Sequence, residues 1–427
     1  MGNEGLGIMT DSPFEPAARS RNPEFTKLWI GQSISLIGSQ VTLLALPIAA
    51  AVTLSATPLQ MGILSAVGSA PALLFGLLAG VWVDRNKRRP ILIGADIGRA
   101  LVLGVIPISS LLGMLRVEIL YVVGFLAGTF GLFFNVAYRS YLPGLVGRQQ
   151  LVKANSQLEL SNSVAEIIGP GVAGGLVQLI GAPLAIAVDA FSFLVSALSI
   201  GSIRTSEPTI KPIEGGTNLG GEIKEGLHLV FGERRLRALA GCISSLSLFN
   251  AVIEAVAILY LTRQLGLTAG WLGVIFAGGS VGFLLGAFLA DWLTRKIGLG
   301  RSLVLGVLVT GASDLLIPLA GKISTLWMVV GVLVVAQFFF GIGLTIFQIG
   351  QVSLRQSLTP DHMQGRMNAT LSMLSWGIAP LGGLLGGVLG QVMGLSPTLV
   401  LAAVGEMLAV FWLVFSPVRI IQQTEGV

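Results

Sequence analysis

Gly80-Val81-Trp82-Val83-Asp84-Arg85-Asn86-Lys87-Arg88-Arg89 ends one long apolar run, and Ile91 begins the next. Five charges fall within six residues between two stretches that each hold about 20 apolar residues, the length needed to cross a bilayer. A buried core helix of a soluble protein does not need such length or such an abrupt charged stop. Working outward, further apolar runs lie at roughly 27–52, 59–83, 91–113, 118–138, 160–180, 183–203, 238–262, 269–293, 301–320, 325–350, 368–391 and 396–416. Twelve runs predict an all-α membrane protein.

Composition agrees. The chain of 427 residues is 53% hydrophobic and only 11% charged, against about 25% charged in soluble domains. The net charge of +5 is spread over many short loops and forms no patch for nucleic acid. Of the 26 lysines and arginines, all but Arg99, Arg116, Arg263 and Lys322 fall on one side of a twelve-helix arrangement. By the positive-inside rule that side is cytoplasmic and carries both termini, which predicts a multi-pass protein of the plasma (inner) membrane. The first two dozen residues are polar, with Pro13, Pro16 and Pro23, so a cleavable signal peptide is not expected.

The chain repeats itself. Asp84 with Arg88 and Arg89 is echoed by Asp291 with Arg295 and Lys296, Lys153-Ala154-Asn155 by Arg366-Met367-Asn368, and Pro170 by Pro380. Each echo comes about 210 residues later, close to half the chain, which indicates duplication. The expected organisation is a cytoplasmic segment 1–26, a six-helix bundle 27–203, a cytoplasmic linker 204–237, a second six-helix bundle 238–416 and a tail 417–427. Within the linker, Ile223, Leu227, Val230 and Phe231 recur at helical spacing beside Lys224, Arg234 and Arg235. They predict an amphipathic helix on the membrane surface.

Gly80 through Arg89 resembles the loop signature of the major facilitator superfamily, G-x-x-x-D-R-x-G-R-R, with Lys87 where a glycine is usual. Topology and repeat extend the resemblance over nearly the whole chain. It implies two pseudo-symmetric six-helix bundles and a cytoplasmic gate built from Gly80, Asp84, Arg85, Arg88, Arg89, Asp291 and Arg295. A plainer reading makes the same charges a stop-transfer cluster that only fixes orientation.

Gly169-Pro170-Gly171-Val172-Ala173-Gly174-Gly175 resembles the antiporter motif of the superfamily's exporters, with Ala173 in place of one glycine. Gly169, Pro170 and Gly174 permit bending and close helix contact. Leu28-Trp29, Gly31-Gln32, Gly38-Ser39-Gln40, Asp96 with Arg99-Ala100 and Lys153-Ala154-Asn155 are similar to the macrolide-efflux and enterobactin-exporter-like (transmembrane secretion effector) branch. That branch implies proton-driven export of hydrophobic or amphipathic compounds, and a monomer is expected. Its fourth helix here offers Asn135 where many proton-coupled drug exporters carry arginine.

Ionisable groups inside a bilayer are costly and require a reason. Asp96, Arg99, Glu166, Asp189, Glu254, Asp314 and Glu406 all fall within the runs. Asp96 and Arg99, three apart on one helix face, form an expected intramembrane ion pair. The resemblance places the first, fourth, seventh and tenth helices around a central cavity. On that placement Glu254 of the seventh helix becomes the first proton-coupling candidate, followed by Glu166 and Asp189, the alternative for Glu254 being a hydrated outer vestibule. Gln32, Gln40, Phe134, Asn135, Tyr138, Asn250, Gln337, Phe347 and Gln348 are the expected cavity wall, aromatic and amide-rich as suits bulky, weakly polar molecules.

No G-x-x-x-x-G-K-[ST] loop, H-E-x-x-H pair or nucleophile-base signature is present, so enzymatic activity, a cofactor and a metal are not expected. The one cysteine, Cys242, excludes an internal disulfide, and His228 and His362 lie in polar connections. The expected partners are a small substrate, protons and the lipid bilayer. A lipid or lysophospholipid flippase shares the fold and an apolar cavity and stands as the alternative, ahead of a non-transporting membrane sensor.

Overall fold

The computed structural model describes residues 22–147, 150–205, 207 and 219–422. The first half consists of α1 (Pro23–Ile48), α2 (Pro58–Asp84), α3 (Arg88–Leu111), α4 (Val117–Val146), α5 (Leu151–Ile180) and α6 (Ala182–Gly201). A connecting α7 (Leu219–Gly232) leads to α8 (Arg234–Leu259), α9 (Ala269–Ile297), α10 (Leu299–Ala320), α11 (Leu326–Leu358), α12 (Gln364–Val392), α13 (Leu395–Leu408) and α14 (Val410–Val414). Among the described residues, twelve spans are long and apolar enough to cross a membrane, α13 and α14 together making the last. The chain is thus a multi-pass membrane protein, with the helix count and order expected from hydropathy.

The helix ends differ from the hydropathy reading where helices outrun the bilayer. The expectation stopped α4 near 138, began α5 near 160, stopped α11 near 350 and began α12 near 368, whereas the helices run to Val146, from Leu151, to Leu358 and from Gln364. The extra turns are rich in Arg, Lys, Asn and Gln. Backbone hydrogen bonding continues regardless of solvent, and a 30-residue helix measures about 45 Å against a hydrocarbon core of about 30 Å. Hydropathy therefore locates the bilayer and not the helix end.

Local sequence sets the entries and turns. Asn22 caps α1, its Oδ1 accepting from the amides of Glu24 and Phe25 at 3.1 and 3.2 Å, with Pro23 in the first turn, where its missing N–H costs nothing. Thr57 and Gln60 form a reciprocal capping box ahead of α2. Gly181 joins α5 to α6 with φ +81°, and Gly394 joins α12 to α13 with φ +92°, about 210 residues later. The duplication extends to a rarer feature: α1 continues into a π-helical turn at Ala49–Thr53, and its counterpart α8 into another at Tyr260–Gln264.

In the first half α1 packs on α5 and α6, α3 on α4 and α6, and α2 on α4; in the second, α11 packs on α9 and α10, and α8 on α12 and α13. The halves meet through α2 with α12 and through its symmetry mate, α5 with α9. α7 docks on the second half: Val230 is buried among Ala240, Met367 and Leu371, Gly226 abuts α12 at Arg366 and Thr370, and Glu225 pairs with Arg366. The amphipathic segment thus covers protein with Val230 while leaving Leu227 and Phe231 exposed. The side chain of Ile223 lies outside the described residues.

Candidate functional site

The two ends of the bundle are in different states. At the end bearing the α1–α2 connection, small residues bring the halves together. A Cβ on Gly62 of α2 would fall 2.6 Å from the Gly383 carbonyl oxygen of α12, and one on Gly174 of α5 would fall 2.7 Å from the Ala269 carbonyl oxygen of α9. Among the described residues three hydrogen bonds join the halves. Ser280 Oγ donates to the Glu166 carbonyl at 2.6 Å, the Gly270 amide to Gln178 Oε1 at 3.3 Å, and Arg263 Nη2 to the Ala51 carbonyl at 2.8 Å. The last bond links the two π-helical turns. A wide turn leaves backbone carbonyls available, and the guanidinium of one half takes a carbonyl of the other.

At the opposite end, bearing the α2–α3 connection, no hydrogen bond or ion pair joins the halves among the described residues. Asp84, Arg85 and Asp291 are exposed, and a Cβ on Gly80 would meet nothing within 4 Å. The gate residues keep to their own halves. Asp291 pairs with Arg295 on the same helix, Oδ2 lying 2.7 Å from Nη2, with both side chains largely exposed. Arg89 donates to the carbonyls of Ile200 and Gly201 at 3.2 and 2.6 Å. Glu207 accepts from the amides of Arg88 and Arg89 at 2.8 and 2.6 Å and so caps α3, a role that its position in a polar connection does not reveal. Among the described residues, none of the residues expected to form the gate makes a hydrogen bond or ion pair to the other half.

The antiporter-type motif lies where the first half meets the second. A Cβ on Gly169 would sit 2.5 Å from Gln40 Cβ, so that glycine makes room for Gln40 of α1, while the Pro170 carbonyl faces Gly273 and Gly174 packs on Gly273. Glu166, one turn earlier, is exposed and accepts from Asn162 Nδ2 at 2.9 Å. In α1, Trp29 Nε1 and Ser33 Oγ both reach Ser161 Oγ at 2.8 and 2.9 Å, and a Cβ on Gly38 would lie 2.7 Å from Asp189 Oδ1. The first-helix residues thus serve mainly to seat α5 and α6.

The buried charges of the first half form one cluster. Asp96 and Arg99 pair, the guanidinium lies 4.4 Å from the Phe134 ring centre and 4.0 Å from that of Phe193, and Asp189 of α6 lies within its field. Asp189 also accepts from Ser192 Oγ at 3.1 Å, and Asp96 and Asp189 are 0% and 1% exposed. One guanidinium serves two buried carboxylates and two rings. Removing it with Arg99→Ala leaves both carboxylates uncompensated and costs about 3–5 kcal/mol, read as a lowered unfolding temperature of the detergent-solubilised protein.

The expected cavity wall divides. Asn135 and Gln348 are exposed, and Gln32, Gln40, Tyr138, Asn250 and Gln337 are half-buried. Phe134 and Phe347, expected to face substrate, are packed inside their own bundles at 1% and 4% exposure, Phe134 stacked on Tyr138 and Phe347 against Gly306. Their phenyl rings are more stable out of water than on an open cleft. Gln32 Oε1 and the Tyr138 hydroxyl are buried without a partner, so each retains a hydrogen bond to offer. Glu254 is exposed on α8, which packs on α12 and α13 of its own half and on α2 of the other.

A family model described as transmembrane secretion effector matches residues 12–426. The multidrug efflux pump Tap of Mycolicibacterium fortuitum is 27% identical over 84% of this chain and 87% of its own length. Macrolide efflux protein A of Streptococcus pyogenes is 24% identical over 87% and 91%, and the enterobactin exporter EntS of Escherichia coli is 25% identical over 85% of each. Among solved structures, a bacterial homologue of the iron transporter ferroportin in an inward-facing state superposes with TM-score 0.73 at 18% identity, covering 93% of this chain and 99% of that one. The nucleoside transporter NupG superposes with TM-score 0.74 at 12% identity, covering 92% and 98%. These likenesses in structure establish the major facilitator fold alone. With the family model spanning nearly every residue, the chain belongs to the transmembrane secretion effector family of major facilitator transporters and is a membrane transporter, not an enzyme.

Proposed function

We propose that the protein is a proton-coupled exporter of hydrophobic or amphipathic small molecules, working as a monomer by alternating access in the plasma membrane with the α2–α3 end in the cytoplasm. The observation that carries the reading is Glu254, an exposed carboxylate on α8, the helix that packs on its own half and on α2 of the other. A carboxyl group there can bind a proton arriving from one side and release it to the other as the halves rock. Efflux pumps and an exporter among the relatives, each aligned over more than four-fifths of this chain, support the direction and the class of cargo. The positive-inside bias supports the orientation.

The groups available to cargo support the same class. Gln32, Asn135, Tyr138, Asn250 and Gln348 offer amides and a phenol, with Arg99 held inside its own cluster. Such a wall suits bulky, weakly charged molecules better than phosphorylated ones. The gate role of Asp84, Arg85, Arg88, Arg89, Asp291 and Arg295 belongs to the opposite state, in which the α2–α3 end closes. In a bacterial host stripped of its own drug pumps, expression raises tolerance to macrolides and lipophilic dyes, and a protonophore abolishes the gain. Tolerance that survives the protonophore would exclude proton coupling.

A further inference from the structure

Both halves bury acidic side chains between their third and sixth spans. The first half does so with Asp96 on α3 and Asp189 on α6, and Arg99 lies between them. The second half repeats the layout with Asp314 on α10 and Glu406 on α13, 3% and 1% exposed, and supplies no cation. The two side chains are buried where α10 packs on α13, near enough to act on each other and on Glu254 of α8. Asp314 Oδ2 and Glu406 Oε2 have no partner. α2, α9, α11 and α12, which pack on α8 or α10, bring their charges only at the α2–α3 end, with Asp84, Asp291, Arg295, Lys296, Arg355 and Arg366.

Two ionised carboxylates have only acceptors to offer each other, so burying them together without a cation requires a proton on one. In the first half the charge is met by a guanidinium built into the chain. In the second half the same place in the fold can be met only by something that enters. We infer that Asp314 and Glu406 form a proton-binding pair, holding one proton between them in a dry layer behind Glu254 and exchanging it with that residue. Glu254 stands at the cleft and passes protons to and from solvent; the pair stores them where water does not reach. The asymmetry divides the labour: the first half is locked by its ion cluster, and the second carries the titrating groups.

The inference deepens the proton-coupled reading and rests on it for its use in transport, but proton binding by the pair is measurable without any substrate. The measurement is the infrared band of protonated carboxyl groups in purified protein in liposomes, titrated from acid to alkaline pH in wild type, Asp314→Asn, Glu406→Gln and the double variant. The expected result is a protonated-carboxyl band at neutral pH in wild type that is lost in the double variant while helical content and monodispersity are kept. A band unchanged in the double variant overturns the pair.

Since the variants can fail to fold, the wild-type protein provides a second measurement. Dicyclohexylcarbodiimide, which attacks protonated carboxyls in apolar surroundings, is expected to modify Asp314 or Glu406, and less so as pH rises, while leaving the Arg99-bound Asp96 and Asp189 untouched. Equal labelling of the two clusters, or none at Asp314 and Glu406, overturns the proposal. Failure of the transport reading looks different: wild type then moves no drug and no proton, although the band and the labelling remain.

Discussion

Glu254→Gln abolishes pH-gradient-driven export from proteoliposomes while leaving substrate exchange at equal pH intact. The substitution keeps the volume and a hydrogen-bonding end at the cleft but removes the group that can carry a proton. Binding of a weakly polar substrate depends on shape and apolar contact, so exchange down a concentration gradient persists. The step that fails is the one needing a charge to be taken up on one side and given up on the other. Dye efflux after a pH jump, compared with counterflow of the same dye at equal pH, separates the two. Loss of both assigns Glu254 to substrate binding, and survival of both moves the proton-carrying role to another carboxylate, Glu166 first.

Gly174→Leu holds the α1–α2 end apart and stops transport by another route. The added side chain begins 2.7 Å from the Ala269 carbonyl oxygen and Gly273 Cα, both backbone atoms of the opposite half that cannot rotate away. Overpacking of this kind costs about 1–3 kcal/mol, and a cost of that size borne by one of two states shifts their ratio by about 5- to 150-fold. The Arg263 to Ala51 hydrogen bond near that end is stretched along with it. Spin labels on the exposed Leu179 and Val392, one in each half, are expected to move to longer separations, with dye efflux lost. Cys242 is buried and is the only native cysteine, so labelling of introduced cysteines is clean. An unchanged separation would mean that α5 and α9 do not form the closing contact.

The fold was legible because its cause is local. Gly80–Arg89 states in ten residues that an apolar run ends in charge, and the same statement recurs after Asp291, so helix count, order and duplication follow from hydropathy and spacing. The site was legible only in part. Asp84 and Arg89 were expected to form a gate, but whether the charges of the two halves meet depends on the packing of two bundles, which no loop encodes. Phe134 and Phe347 read as cavity residues because the resemblance places their helices around a cavity, yet both are buried inside their own bundles. Asp314 and Glu406 lie 92 residues apart on helices read as peripheral, and only the packing of α10 on α13 joins them. A comparison of the third and sixth spans with the ninth and twelfth would have flagged them, since acids occur in all four. Glu207 and Arg263 gave no signal, since each acts on backbone groups of a distant segment.

Proton movement tied to substrate is the property that separates a coupled exporter from a passive carrier. Purified protein is reconstituted in liposomes holding a pH-sensitive dye, and a lipophilic drug is added with no pH gradient present. The account predicts that the drug's movement drives protons in the opposite direction, that reversing the drug gradient reverses the proton signal, and that Glu254→Gln removes it. Drug movement at the same rate with no change in internal pH would contradict it.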